Sequence, residues 1–394
     1  MRLAVLTSHP IQYQAPLFRE LARRCDLHVF FGHSATPQEQ ANAGFGTSFA
    51  WDVDLISGYA NSFLKNVSRR PSASEFFGCD TPEIGERLLE GRFDALMVMG
   101  WGLKSFVQGI LAAKRLGIPT MARGDSHLLT PRSRIKTATK EFLYRPLLRL
   151  FDAALYVGEC SRAYYEHYGF PAERLHFSPH SVDAAWFAER ATAEARARLR
   201  KQLSVEADKR VLLFAGKLIP LKRPLDLILA AAACRSNGLN VEVMVAGDGE
   251  LRAQIVTKAA EVGVPTHMLG FCNQAEMPAA YAAADCLILP SSHETWGLVA
   301  NEALACNRPI IVSDQCGCAP DLACDGIAGR AFKVGDASGL SRAIADLRHD
   351  GALSAAIANL SAKYSVSSAV DGIEAAMESC GARRVDRRHS SRRS

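Results

Sequence analysis

Two carboxylates, Glu294 and Glu302, stand eight positions apart in the stretch SSHETWGLVANE (residues 291–302), among small and apolar neighbours. On one continuous helix, ~100° per residue would leave them about 80° apart around the axis and off a common face. They form one site only if Glu294 lies in a loop and Glu302 on the helix that follows. Trp296 and Gly297 mark the transition, and Asn307 before Arg308-Pro309 the stop. A helix that begins near Gly297 opens with unpaired amides, from about Leu298 and Val299, that suit a phosphate. Two carboxylates flanking such an anion site accept hydrogen bonds from hydroxyls. Hydroxyl groups on both sides of a diphosphate describe a nucleotide sugar. The other reading is a capping loop followed by one solvated helix glutamate.

Cations stand where a diphosphate needs them. The run VLLFAG, closing on Gly216, leads into Lys217, Lys222 and Arg223. Lysines at a strand exit, beside a helix amino terminus, make a clamp for a pyrophosphate; the alternative is a basic solvated loop. The run VEVMVAG ends in Gly247-Asp248-Gly249, a tight turn that lets backbone approach a base or a sugar. No Asp-x-Asp stands in these loops to hold a divalent cation, so no metal site is expected. Cys306, Cys316, Cys318 and Cys324 crowd one region, but without paired C-x2-C spacing they read as small buried thiols rather than zinc ligands.

The elements that must position these residues follow from hydropathy. Short Val/Ile/Leu-rich runs alternate with longer helical patterns: RLAVLT, LHVFFG, ALMVMG, PTMARG, AALYVG and LHFSP, then VLLFAG, VEVMVAG, THMLGF, CLILP, PIIVSD and GRAFKV. That rhythm predicts an α/β fold of two doubly wound, Rossmann-like domains with parallel sheets, facing a central cleft. The expected division is 1–183, a charged Ala-rich linker at 184–208, a second domain at 209–361, a helix at 362–380 packing back across the domains, and a basic disordered tail at 381–394. Ligands of open α/β sheets sit beyond the carboxyl ends of the strands, so chemistry belongs in the residues directly after each strand.

At 394 residues, 48% hydrophobic and 22% charged, the chain reads as globular. Its net charge of +5 is matched by residues 383–394 alone, with six Arg and one Asp, so nothing in the remainder suggests a nucleic-acid binder. Eleven scattered cysteines and a short initial apolar run predict a reducing, cytoplasmic setting. No apolar run approaches the ~18 residues that cross a bilayer.

In order along the chain, HPIQYQAPLFRELA, YVGECSRAYYEHYGF, SVDAAWF, FAGKLIPLKRP, VAGDGE, YAAADCLILPSSHETWGLVANEALACNRPIIVSD and DLACDGIAG resemble a glycosyltransferase of the GT-B fold, of the family 4 type whose members retain anomeric configuration. The long segment Tyr281 to Asp314 carries the Glu-x7-Glu pair in its strand, loop and helix context. The resemblance implies that the carboxyl-terminal domain binds a UDP- or GDP-sugar as substrate, with no separate cofactor, and that the amino-terminal domain brings a saccharide or lipid-linked acceptor. It implies that Glu302 holds the ribose hydroxyls, Glu294 contacts the donor sugar, and Lys217 and Lys222 neutralise the diphosphate in place of a metal. The backbone near Gly216, Gly247 and Leu269 to Phe271, with the amides after Trp296, completes the donor site. Front-face substitution is the implied route, with Glu294 a positioner rather than a nucleophile.

The amino-terminal half departs from the pattern. Where many relatives carry glycines after the first strand, this chain has Ser8-His9-Pro10-Ile11-Gln12-Tyr13, in which His9 and Gln12 either replace backbone contacts to the donor, face the acceptor, or cap the strand. The family histidine expected after PTMARG falls on Asp125, with His127 two further on as the alternative; an acidic residue there binds a sugar hydroxyl and favours positive charge developing on the ring. The stretch 131–151 spaces cations and apolar groups in a way compatible with an anionic membrane surface, or with a solvated helix face. A retaining, metal-independent transferase that builds a surface polysaccharide or glycolipid is therefore expected, at the inner face of the cell membrane or free in the cytoplasm. The alternative is a nucleotide-sugar-binding protein without catalysis. A nicotinamide-dependent dehydrogenase would need G-x-G-x-x-G after a first strand, which neither half offers.

Overall fold

The protein was analysed as a computed structural model, which describes residues 1–34, 51–130, 134–347 and 351–390. Two compact units emerge. The first is built from the described residues within Met1–Thr36, Asp54–His180 and Val366–Ser394, the second from those within Pro37–Val53 and Ser181–Ser365.

The first unit carries β1 (Arg2–Thr7), β2 (Asp26–Phe31), β3 (Ala60–Phe63), β4 (Ala95–Val98), β5 (Thr120–Gly124), β6 (Ala153–Tyr156) and β7 (Leu175–Phe177). All pair in parallel, in the order β3-β2-β1-β4-β5-β6-β7. Side chains alternate between the two faces of β1: Ala4 and Leu6 join one buried cluster, Leu3 and Val5 the other. Helices cover both faces, so the central strands read as unbroken apolar runs. β3 was not among the expected strands. Its residues, ANSF, have no apolar run and are at most half-buried, and it pairs only with β2 at the sheet edge, where His28 Nε2 and Ser62 Oγ stand 3.0 Å apart.

The second unit carries β8 (Arg210–Ala215), β9 (Val241–Ala246), β10 (Thr266–Gly270), β11 (Cys286–Leu289), β12 (Ile310–Ser313) and β13 (Gly329–Phe332), parallel in the order β10-β9-β8-β11-β12-β13. Its strand order reverses between β8 and β11, the topological switch at which such sheets bind ligands. In the first unit the reversal lies between β1 and β4.

Two boundaries differ from expectation. The segment 184–208 is folded: helices Ala184–Arg190 and Ala193–Gln202 belong to the second unit, where Arg196 and Arg200 both bind Asp285 at 2.7 Å. The helix Gly351–Lys363 also belongs there, and a second helix, Val366–Ser390, returns to the first unit. The latter packs on the helix Ala15–Arg24, β6 and β7 and places Ala369, Val370, Ile373, Ala376, Met377 and Cys380 in one buried cluster with Leu3, Val5, Phe18 and Leu155. Helix rather than disorder thus runs through the start of the basic tail, while residues 391–394 lie outside the described ones. Among the described residues no helix is long and apolar enough to cross a membrane.

Candidate active site at the strand ends

In the second unit the backbone after β8 and β9 is fixed by contact between glycines. The Gly216 amide donates to Ala246 O at 2.9 Å, and the Gly247 amide to Gly270 O at 2.7 Å. A Cβ on Gly247, at φ 153°, would lie 1.9 Å from the Gly216 carbonyl oxygen, so no larger residue fits. The chain then passes through Lys217 and a short 3-10 turn, Pro220–Lys222. Ser292, beyond β11, donates its amide (2.8 Å) and hydroxyl (3.1 Å) to Leu221 O. This link sews the loop after β8 to the loop after β11, across the strand-order reversal, and brings the Lys222 ammonium against the Glu294 carboxylate.

Glu294 is therefore in a loop, as its spacing requires. Its backbone is tied to the loop after β12: its amide donates to Gln315 O at 3.3 Å, and its carbonyl accepts from Gly317 N at 3.0 Å. The helix Leu298–Ala305 follows, with Gly297 at φ 101° before its first turn. The amides of Leu298 and Val299 open that turn, where the helix itself offers no acceptor. The Trp296 indole is buried and donates from Nε1 to Asn301 Oδ1 at 2.8 Å, so it locks the loop onto the helix. Glu302 is on the helix and 4% exposed, with one oxygen accepting the Tyr281 hydroxyl at 2.6 Å.

Lys217 is half-buried. Burial lowers its pKa, the nearby Lys222 lowers it further, and Glu294 opposes both. Arg223 binds Asp226 at 2.7 and 3.1 Å, as Lys222 binds Glu294. Phe271 is half-buried just past the end of β10. Cys306, Cys316 and Cys318 are buried thiols whose pKa values burial raises, and Cys324 is exposed. Among the described residues, no three or more His, Cys, Asp or Glu gather in a metal-binding group.

In the first unit, His9 and Gln12 follow β1 at the strand-order reversal, both half-buried, with His9 Nδ1 2.9 Å from Ser8 Oγ. Asp125 follows β5. Its side chain is 42% exposed, and its Oδ2 lies 3.5 Å from His180 Nε2. His127 is buried, its Nδ1 accepting the Leu129 amide at 3.1 Å within its own turn. Of the two alternatives after β5, Asp125 is the one turned outward. His180 and the buried Arg123 were missed by sequence reasoning. His180 sits in FSPHSVD just after β7, where the rule of looking past each strand end would have found it.

A family described as "Glycosyl transferase 4-like domain" matches residues 10–180, and one described as "Glycosyl transferases group 1" matches residues 195–364. A D-inositol 3-phosphate glycosyltransferase from Arthrobacter sp. (strain FB24) is 31% identical over 248 residues, covering 58% of this chain and 56% of that protein. The chain spans about half the length of the curated relatives it matches. The crystal structure of Anabaena HepE in complex with UDP and glucose superposes with a TM-score of 0.69 at 18% identity, over 96% of this chain and 100% of that one. An α,α-trehalose-phosphate synthase (UDP-forming) from Burkholderia vietnamiensis does so with a TM-score of 0.69 at 14% identity, over 97% and 98%. At these identities the likeness is one of fold.

Proposed function

This chain belongs to the GT-B glycosyltransferases of the family 4 type, and on that footing we propose that it moves a sugar from a nucleoside-diphosphate sugar to a hydroxyl of a saccharide or lipid-linked acceptor, with retention, in building a surface polysaccharide or glycolipid. The observation that carries the reading is the Lys222–Glu294 pair, held at the strand-order reversal of the second unit just before the first turn of helix Leu298–Ala305. Cations and a helix amino terminus at a switch point suit a diphosphate. That HepE binds UDP and glucose supports a UDP-type donor.

In this mechanism Lys217, Lys222 and the amides of Leu298 and Val299 hold the diphosphate without a metal. Glu302, oriented by Tyr281, receives the ribose hydroxyls, and Glu294 receives those of the sugar. The bond from the anomeric carbon to the diphosphate oxygen breaks as the acceptor oxygen bonds to that carbon on the same face, and the acceptor proton passes to the departing oxygen. Fixed positive charge stabilises the leaving group as its negative charge develops. Glu294, engaged by Lys222, positions the sugar. Asp125 serves a sugar hydroxyl, and His9 and Gln12 contact donor or acceptor.

Unfolding temperature measured with UDP, GDP, ADP and their sugars tests donor binding, because a ligand at 100 times its Kd adds ~2.7 kcal/mol of stability. Slow donor hydrolysis then separates enzyme from binder. An intact donor after hours, with Glu294→Ala changing affinity alone, would leave the binding-only reading in place. Contact with an anionic membrane is supported by the helix Arg134–Leu148, on which Phe142 is 81% exposed beside exposed Leu143 and Arg145. Co-sedimentation with phosphatidylglycerol vesicles should be lost in Phe142→Asp; equal sedimentation of the variant would remove this element of the reading.

A further inference from the structure

β5 and β7 are not neighbours, since β6 lies between them, yet the segments that leave them are joined by one buried guanidinium. Arg123, 4% exposed, donates from Nε to Ser178 Oγ at 3.1 Å and from Nη2 to the carbonyls of Ser178 (3.2 Å) and Pro179 (2.9 Å). Ser178 Oγ in turn donates to Ala369 O at 2.9 Å. Burial lowers the pKa of Arg123 to about 10, which leaves it charged near neutrality. The chain leaving β7 is thus held at a fixed distance from β5, and this sets His180 Nε2 3.5 Å from Asp125 Oδ2.

The two partners differ in exposure. The Asp125 side chain is 42% exposed and that of His180 19%. The more buried imidazole thus borders the more exposed carboxylate. We propose that His180 is a positioning residue: it orients the Asp125 carboxylate at the end of β5 to receive a hydroxyl of the saccharide substrate, with Arg123 setting the distance between them. The proposal rests on the glycosyltransferase reading and adds to it a residue outside the chain's recognised motifs.

Among the described residues, Arg123 and Tyr165 act on the pair, and the buried His127 lies two positions beyond Asp125. Burial pushes the His180 imidazole below its usual value, Arg123 adds to that, and Asp125 opposes it. Tyr165, from the helix Glu159–His167, is buried and within reach of the charges of Arg123 and Asp125, and burial raises its pKa well above the usual value. At neutral pH the balance leaves His180 uncharged. A neutral imidazole whose Nε2 lies 3.5 Å from Asp125 Oδ2 borders the carboxylate without cancelling its charge, so Asp125 keeps its full strength as an acceptor.

The test is a double-mutant cycle on the full chain, with UDP-glucose or GDP-mannose as donor, whichever stabilises the protein more, and free sugar as the readout of slow hydrolysis. His180→Phe should lower kcat about tenfold or more while KM moves less than about twofold. In an Asp125→Asn background the same change should cost less than about twofold, because the residue that His180 orients is already disabled. His180→Gln, which keeps an N–H donor, should restore most of the lost rate, and it remains informative if the Phe variant folds poorly. Equal losses from His180→Phe in both backgrounds, or no rescue by Gln, would overturn the role of His180 and leave the function intact. No turnover by the wild type with either donor would instead overturn the glycosyltransferase reading, and this proposal with it.

Discussion

Lys222 lies against the Glu294 carboxylate, and Lys217 feels both charges. Because Lys222 is a like charge that lowers the pKa of Lys217, Lys222→Ala should raise it, and a carboxylate released from Lys222 would push in the same direction. Titration of isotope-labelled lysine by NMR reads the effect directly, and an unchanged or lower value would mean that the two ammonium groups are not coupled. The same variant removes one cation from the proposed diphosphate clamp, so kcat/KM should fall by roughly 10²–10³, the scale of losing one preorganised donor at a developing anion. The placement of Glu294 in a loop and of Glu302 on the helix after it was legible in the sequence from their spacing. Their partners were not. Lys222 meets Glu294 across 72 positions only because β8 lies beside β11, and the Tyr281–Glu302 bond depends likewise on how the helices Met277–Ala283 and Leu298–Ala305 pack.

At the scale of elements, every apolar run rich in Val, Ile and Leu became a strand, because strands covered on both faces must be apolar throughout. The strand without that signal, β3, is held by its edge pairing with β2 and by contacts such as Phe63 on Phe31 and Ser62 at His28. The segment 184–208 was misjudged because its charge suggested a solvated linker, whereas two of its arginines serve one half-buried acid. Asp285 accepts from Arg196, Arg200 and the Val211 amide, each at 2.7 Å. Burial alone would raise the pKa of Asp285, but those three donors outweigh it and hold the carboxyl below its usual value. The folded state thus favours the ionised form. The stability this contributes is fully present above the unfolded-state value near 3.8 and is lost as pH falls through the lower folded-state value. Asp285→Asn should destabilise the second unit at pH 7 by ~3–5 kcal/mol, because it leaves two arginines without their acid. Urea denaturation at a series of pH values should show the gap between wild type and variant closing below about pH 4. A gap that stays constant down to pH 2 would show that shape rather than charge holds the helix Ala193–Gln202 in place.

For the whole molecule, chain order and fold membership part company at Ser365: the chain leaves the second unit and its last described helix completes the first. The helical pattern was readable from the sequence, but the face it covers was not, since Ala369, Val370, Ile373, Ala376 and Met377 would suit any apolar surface. The structure supplies the specific constraint. A Cβ on Gly372 would lie 1.8 Å from the Phe177 carbonyl oxygen, so the helix seats against the end of β7 only with glycine there. Truncation after Ser365 would open the cluster that holds Leu17, Phe18 and Leu21 of the helix Ala15–Arg24 together with Leu3, Val5 and Leu155 of the first sheet. At ~1.5–3 kcal/mol for each large apolar side chain returned to water, the loss rivals the ~5–15 kcal/mol that holds a typical domain together. The truncated chain should therefore show calorimetric unfolding of the second unit alone, near its wild-type temperature, with the first unit already unfolded and susceptible to protease. Gly372→Val in the full chain should lower the first unit's transition without abolishing it. If truncation leaves both transitions in place, the helix is an accessory to the first unit rather than part of its core.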